Sequence, residues 1–361
     1  MNHRRTARLA IIAAVLLLGL TWSLALAMKG GAQPAYPNAQ LLATVDWLAA
    51  HAADPHLVIV DVREDKHHDG RSIPGAIRLP WTALRYDDAA LNLPEKFVGV
   101  AQAQEILGRH GIARDDTLVL YDSVARDGGA TASFVFWVLD VLGHRDKRLL
   151  DGGIDAWVRT GRPTEAAPRA SAPLLYQAPA GEIRLDHLID GRWIQARLGD
   201  PMYQIVDVRS REEYLGTKGS LDMRGKPMLA GHIPTAVNVD YTSAWRDKET
   251  KLLKPYPELQ DLYRGLDPSR GVIVYCQSGR RSAFSYFVLR LMGVDRVRTY
   301  ENSWMEWGNP DNYFPVETLP RQFTGEGLPG TGGPTATAPK AAAAPATENA
   351  RPSGGYVSCG G

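Results

Sequence analysis

An α/β protein, built as two tandem domains that each fold a parallel β-sheet flanked by helices, is predicted by three features of the sequence. Short β-branched runs such as Val58-Ile59-Val60 and Val272-Ile273-Val274 are bounded by charged or turn residues, as buried parallel strands are. Longer segments with helical spacing follow them. Phe134, Trp137, Val138 and Val141 in one half, and Phe284, Phe287, Val288 and Leu291 in the other, recur at three- and four-residue steps and give each segment an apolar face for the sheet. The strand-then-helix order occurs twice, which is the third feature.

The repeat sets the domain count. LVIVDVRED (57–65) recurs as YQIVDVRSRE (203–212), and RSIPGAIRLP (71–80) recurs as GHIPTAVNVD (231–240). LVLYD (118–122) matches VIVYC (272–276), and DGGIDAW (151–157) matches ENSWMEW (301–307). These pairs place one domain over 38–168 and a second over 182–320. Between them, 169–181 is rich in proline and small residues and reads as a linker crossing the surface. After Pro320 the composition turns to Gly, Pro, Ala and Thr, too poor in bulky residues to bury a core, so 321–361 is expected to be a disordered tail.

At the start, Arg4, Arg5 and Arg8 precede an uncharged stretch from Leu9 to Ala27 that ends in Ala-Leu-Ala. That is the layout of a signal peptide over 1–27, and it predicts an exported protein, periplasmic or extracellular. Left uncleaved, the same stretch is nearly long enough to anchor the chain in a membrane with the folded part facing out of the cytoplasm. The formal net charge is +1 with 22% charged residues, so no global field recruits nucleic acid or a membrane surface. There are only two cysteines, Cys276 and Cys359, which is not a stabilising disulfide framework.

Cys276 stands where a buried strand ends and a helix begins, the place where ligands gather in parallel sheets. With the helix starting near Ser282, the intervening Gln277, Ser278, Gly279, Arg280 and Arg281 have to curl with backbone N–H groups toward the sulfur. Gly279 permits that curvature. Amide dipoles and a helix N-terminus favour negative charge, and they lower a thiol from its free value near ~8.5. The expectation is a thiolate nucleophile in an anion cradle, with Arg280 and Arg281 adding positive charge at its rim. A phosphatase loop of the cysteine-x5-arginine type needs arginine at 282, and Ser282 is there.

The duplicated DVR, the paired IPGA and IPTA segments, the YCQSGRRS loop and ENSWMEWG together resemble the two-domain rhodanese family of sulfurtransferases, over most of residues 40 to 315. The resemblance implies two rhodanese-like domains of which only the second is catalytic. Cys276 then accepts a sulfane sulfur from a small-molecule donor, becomes a persulfide and passes the sulfur to cyanide or a thiol acceptor, with no metal or organic cofactor. Residues 277 to 282 are the expected donor- and persulfide-binding loop. Thiosulfate is the expected donor because a dianion suits two loop arginines. The alternatives are a 3-mercaptopyruvate enzyme and a persulfide carrier with little turnover.

The first repeat carries Asp122 at the position of Cys276. Asp122 lies 21 residues before Gly143, whereas Cys276 lies 17 before Gly293, so the first loop is longer and is expected to be inert, covering the mouth of the second domain. Mammalian-type members of the family place a donor-binding arginine before an aromatic-x-Gly-Thr segment; here Glu213 precedes Tyr214-Leu215-Gly216-Thr217. Asp61-Val62-Arg63 and Asp207-Val208-Arg209 occur in both repeats and are expected to tie strand ends to loops. His232 is read as fixing a turn, Glu306 as an arginine partner, and His67-His68-Asp69 as a solvated loop. Cys359, near the end of a flexible segment, is either an incidental thiol or a partner that returns to Cys276 as acceptor or disulfide-forming guard.

Overall fold

The computed structural model describes residues 35–325 apart from 167, 168 and 170. The expected signal peptide over 1–27 and Cys359 lie outside the described residues. In chain order the first half contains β1 (Leu42–Ala43), α1 (Val45–His51), β2 (Leu57–Asp61), β3 (Ile77–Arg78), β4 (Arg85–Asp88), β5 (Leu93–Phe97), α2 (Val100–Arg109), β6 (Thr117–Tyr121), α3 (Ala130–Val141), β7 (Lys147–Leu150) and α4 (Gly153–Arg159). The second contains α5 (Gly191–Gln195), β8 (Tyr203–Asp207), α6 (Arg211–Tyr214), β9 (Val237–Asn238), α7 (Tyr256–Leu262), β10 (Gly271–Tyr275), α8 (Arg280–Leu291), β11 (Val297–Thr299) and α9 (Ser303–Trp307).

Two parallel sheets result, in the order β1-β7-β6-β2-β3 and β11-β10-β8-β9. β2 and β10 are buried along their whole length, which is why both read as unbroken apolar runs rather than alternating ones. The duplicated Asp-Val-Arg does the same work in each half. Asp61 accepts from Arg63 Nη2 at 2.6 Å and from the Tyr121 hydroxyl at 3.1 Å, and Asp207 accepts from Arg209 Nη2 at 2.6 Å and from Tyr275 at 2.6 Å. Each tyrosine hydroxyl in turn accepts the backbone N–H of the isoleucine in the Ile-Pro segment, Ile73 or Ile233. Strand end, neighbouring strand and crossing loop are thereby tied by one buried network, and the carboxylates are structural.

α3 and α8 pack against each other across the two halves. Every residue of α3 is buried, as are all of α8 but Arg290, because both faces of each helix meet protein. Phe136 meets Phe287 edge to face at 5.1 Å, and Tyr286 donates to Asp140 Oδ2 at 2.6 Å beside the Lys147–Asp140 ion pair at 2.7 Å. A single apolar cluster runs from Val58 and Val60 of one sheet to Val272 and Val274 of the other.

The segment 169–181 runs along the first domain with Tyr176 and Ala178 buried and Leu174 and Leu175 exposed. At the far end, where the tail is expected to begin, Arg321 pairs with Glu317 at 3.0 Å and Gly325 N donates to Gly265 O at 2.9 Å. Residues 321–325 are thus held to the second domain.

The hairpin β4–β5 leaves the first sheet and reaches the second domain. Asn92 Nδ2 donates to Asp222 Oδ2 at 2.7 Å, Arg224 Nη2 donates to Ala89 O at 2.9 Å, and Leu93 is buried in the apolar cluster formed by Met228, Met305 and their neighbours. It lies as a strap over the end of β10.

Candidate active site

Cys276 follows the last residue of β10, and the chain turns at Gly279, whose φ of 96° is left-handed. A side chain there meets a second obstacle, since an added Cβ would lie 2.7 Å from Glu301 O. The turn brings Gly279 N to 3.1 Å from Cys276 Sγ, donating to the sulfur. Helix α8 begins at Arg280, two residues earlier than the expected start near Ser282, with Gly279 as its N-cap. Ser282 Oγ donates to Gly279 O at 2.8 Å and pins the turn.

The ENSWMEW segment closes the loop from the other side. Ser303 Oγ accepts from Cys276 N at 3.0 Å and lies 4.0 Å from Sγ, Trp304 N donates to Cys276 O at 3.1 Å, and Met305 N donates to Gln277 O at 3.0 Å. Gln277 Nε2 rests on Met305 Sδ at 3.2 Å. Cys276 is 0% exposed, its sulfur facing the Gly279 amide and the N-terminus of α8.

Both loop arginines face inward rather than to a solvent rim. Arg280 is 0% exposed and pairs with Asp127 of the first domain at 2.8 Å. Arg281 is 7% exposed and is gripped bidentately by Glu213 at 2.9 Å on each nitrogen. That pairing accounts for a carboxylate standing where the mammalian-type pattern has a cation. Although burial alone raises a carboxyl, Arg281 outweighs it and holds Glu213 at about 2.

Ser278 Oγ donates to Glu95 Oε2 at 2.7 Å, and Glu95 pairs with Arg85 at 2.7 Å, so the strap contributes two side chains beside the cradle. Arg85 lies 3.5 Å from the centre of the Trp81 ring, and Arg280 lies 5.1 Å from it. Glu301 accepts from Phe97 N of the strap, and burial pushes its carboxyl up to about 7.

The corresponding loop of the first domain has the same design around a different atom. Asp122 follows β6, Gly129 has a φ of 103°, and the Asp122 carboxylate accepts from Gly129 N at 3.0 Å and from Ala132 N at 3.0 Å. Burial and the neighbouring Asp127 push Asp122 up to about 7. The longer loop delivers Asp127 to Arg280, so the first domain's nucleophile-free loop braces the second domain's cysteine loop.

Other singled-out residues fall elsewhere. His232 stacks on Tyr214 at 3.7 Å and its Nδ1 donates to Tyr214 O at 2.8 Å. Glu306 binds Tyr300, Asn302 and the Gly191 N–H rather than an arginine, since those donors are the groups around its short helix. His68 contacts Ser72, and Asp69 pairs with Arg71 and Arg63. Ser303, Glu95, Arg85 and Asp127 gave no signal in the sequence, because each is brought to the cradle by a segment remote from Cys276.

The rhodanese-like domain family matches residues 44–160 and 190–310. A thiosulfate sulfurtransferase of Corynebacterium glutamicum is 34% identical over 295 residues, covering 78% of this chain and 92% of that protein. A sulfur carrier protein of Thermus thermophilus, TtuD, is 32% identical over 288 residues, covering 76% and 95%. Among solved structures, SseA of Escherichia coli, described with the fold and mechanism of 3-mercaptopyruvate sulfotransferases, superposes with a TM-score of 0.61 at 25% identity over 73% of this chain and 98% of that one. The family matches both halves of the chain, and with these relatives the chain belongs to the two-domain rhodanese-like sulfurtransferase family.

Proposed function

We propose that the protein moves sulfane sulfur from thiosulfate to cyanide or a thiol acceptor through a persulfide on Cys276. The observation that carries this reading is the cradle: Gly279 N lies 3.1 Å from Sγ of the fully buried Cys276, between the end of β10, the N-terminus of α8 and the α9 clamp.

 The Cys276 thiolate attacks the outer sulfur of thiosulfate, the S–S bond breaks with its electron pair, and sulfite leaves. The persulfide anion is then held by the loop amide and the α8 N-terminus until an acceptor takes the terminal sulfur. In this reading Gln277, Ser278, Gly279 and Ser282 shape the persulfide seat. Arg280 and Arg281 act through their field and by fixing the loop, since each already has a carboxylate partner.

The named thiosulfate sulfurtransferase relative supports the donor, and the carrier and 3-mercaptopyruvate relatives define the competing outcomes. Steady-state turnover of thiosulfate against 3-mercaptopyruvate, with cyanide and with dithiols, tests it. Preference for 3-mercaptopyruvate replaces the donor, and stoichiometric loading without turnover makes the protein a carrier. Cys276→Ala is expected to abolish sulfur transfer and the added sulfur seen by mass spectrometry; turnover retained in that variant refutes the mechanism. Export rests on the leader over 1–27, and cell fractionation with N-terminal mass analysis of the mature chain tests it.

A further inference from the structure

The thiol is fully enclosed, so a donor reaches it only if something beside the cradle moves. On the strap side, an open cleft of about 360 Å³ is lined by Trp81, Arg85, Glu95, Lys66 and Arg126, among others. Glu95 lines this cleft and also reaches the cysteine loop. Its carboxylate is held by Arg85 at 2.7 Å and by Ser278 Oγ at 2.7 Å, two residues along from Cys276. Its backbone has a φ of 62°, left-handed for a non-glycine residue, a conformation that persists only where its surroundings impose it. Although burial raises this carboxyl, Arg85, Ser278 and Arg280 lower it on balance, so it is an anion at neutral pH.

We propose that Glu95 is a resident anion in the donor's seat: the anionic sulfur donor arrives through this cleft, displaces the Glu95 carboxylate from Arg85 and Ser278, and takes Arg85 as its counter-ion. Glu95 is then a specificity-determining gate and Arg85 the donor's cation, supplied by the domain that lacks a nucleophile. The proposal rests on the sulfurtransferase reading but not on which donor is used, since thiosulfate and 3-mercaptopyruvate are both anions.

Alkylation of Cys276 in a Cys359→Ser background, where it is the single thiol, reads the gate without sulfur transfer. The ratio of the rate with anionic iodoacetate to that with neutral iodoacetamide is expected to rise at least about fivefold in Glu95→Gln, because a fixed like charge is removed from the path. Glu95→Ala has to move the ratio in the same direction, which covers a failure of the Gln variant to fold. Arg85→Met is expected to raise KM for thiosulfate about tenfold with a smaller change in kcat. A ratio within twofold of the parent in both Glu95 variants overturns the gate, even where thiosulfate turnover is intact. A raised ratio in a protein that does not turn over thiosulfate keeps the gate and discards that donor.

Discussion

Gly279 carries two demands at once, a φ of 96° and a carbonyl 2.7 Å from where a Cβ would sit. Alanine there forces the turn away from Glu301 and moves its N–H off the sulfur. Gly279→Ala is expected to cost roughly 1–3 kcal/mol of stability and to lower kcat/KM for sulfur transfer at least about tenfold, read by thermal unfolding and steady-state rates. Glu301 makes a different prediction. Its carboxyl is raised from 4.5 to about 7 by burial, so the folded protein holds that proton where the unfolded chain has released it. This contribution to stability is full below pH 4.5 and is lost as pH rises toward 7. Glu213, held at about 2, runs the opposite way and loses its contribution as pH falls below its ordinary 4.5. Glu301→Gln is therefore expected to show a flatter fall in Tm between pH 5 and pH 8 than the parent, and an unchanged slope contradicts it.

The two strand-to-helix loops are equivalent elements with different occupants. Around Cys276 the loop is short and receives a thiol, whereas around Asp122 it is longer and receives a carboxylate held by the same kind of N–H donors. The extra residues are not idle, because they bury Asp127 against Arg280. Removing one partner of a buried pair leaves an uncompensated charge and typically costs about 3–5 kcal/mol. Asp127→Asn is expected to destabilise the protein by that order, and Arg280→Gln added to it to restore part of the loss, as measured in a double-mutant cycle by denaturant unfolding. Strict additivity of the two changes would show that the loops do not communicate through this pair.

At the scale of the molecule the halves share their core. α3 and α8 cover each other, Phe136 meets Phe287, and the strap sends Leu93 into the second domain's apolar cluster. Cutting the chain exposes both helix faces, and exposed apolar surface of that extent drives association. Residues 182–325 expressed alone are expected to aggregate or to unfold at a much lower temperature than the whole chain, with solubility regained on co-expression with residues 36–181. A soluble, cooperative and fully active second half would contradict this.

The alternation of buried strands with apolar-faced helices, the duplication and the position of Cys276 before Gly279 were all legible along the chain, because they depend on local period, on the residue types that tolerate a tight turn, and on spacing. That the first loop holds an aspartate in place of a cysteine, on a longer turn, is read along the chain in the same way. Folding decided the electrostatics. Arg280 and Arg281 look like free cations in sequence, yet Asp127 and Glu213, residues 153 and 68 positions away, neutralise them in the fold. Ser303, Arg85 and Glu95 reach the cradle by crossovers and by a strap from the other domain, and a Coulombic partner is set by distance in space, which order along a chain does not encode.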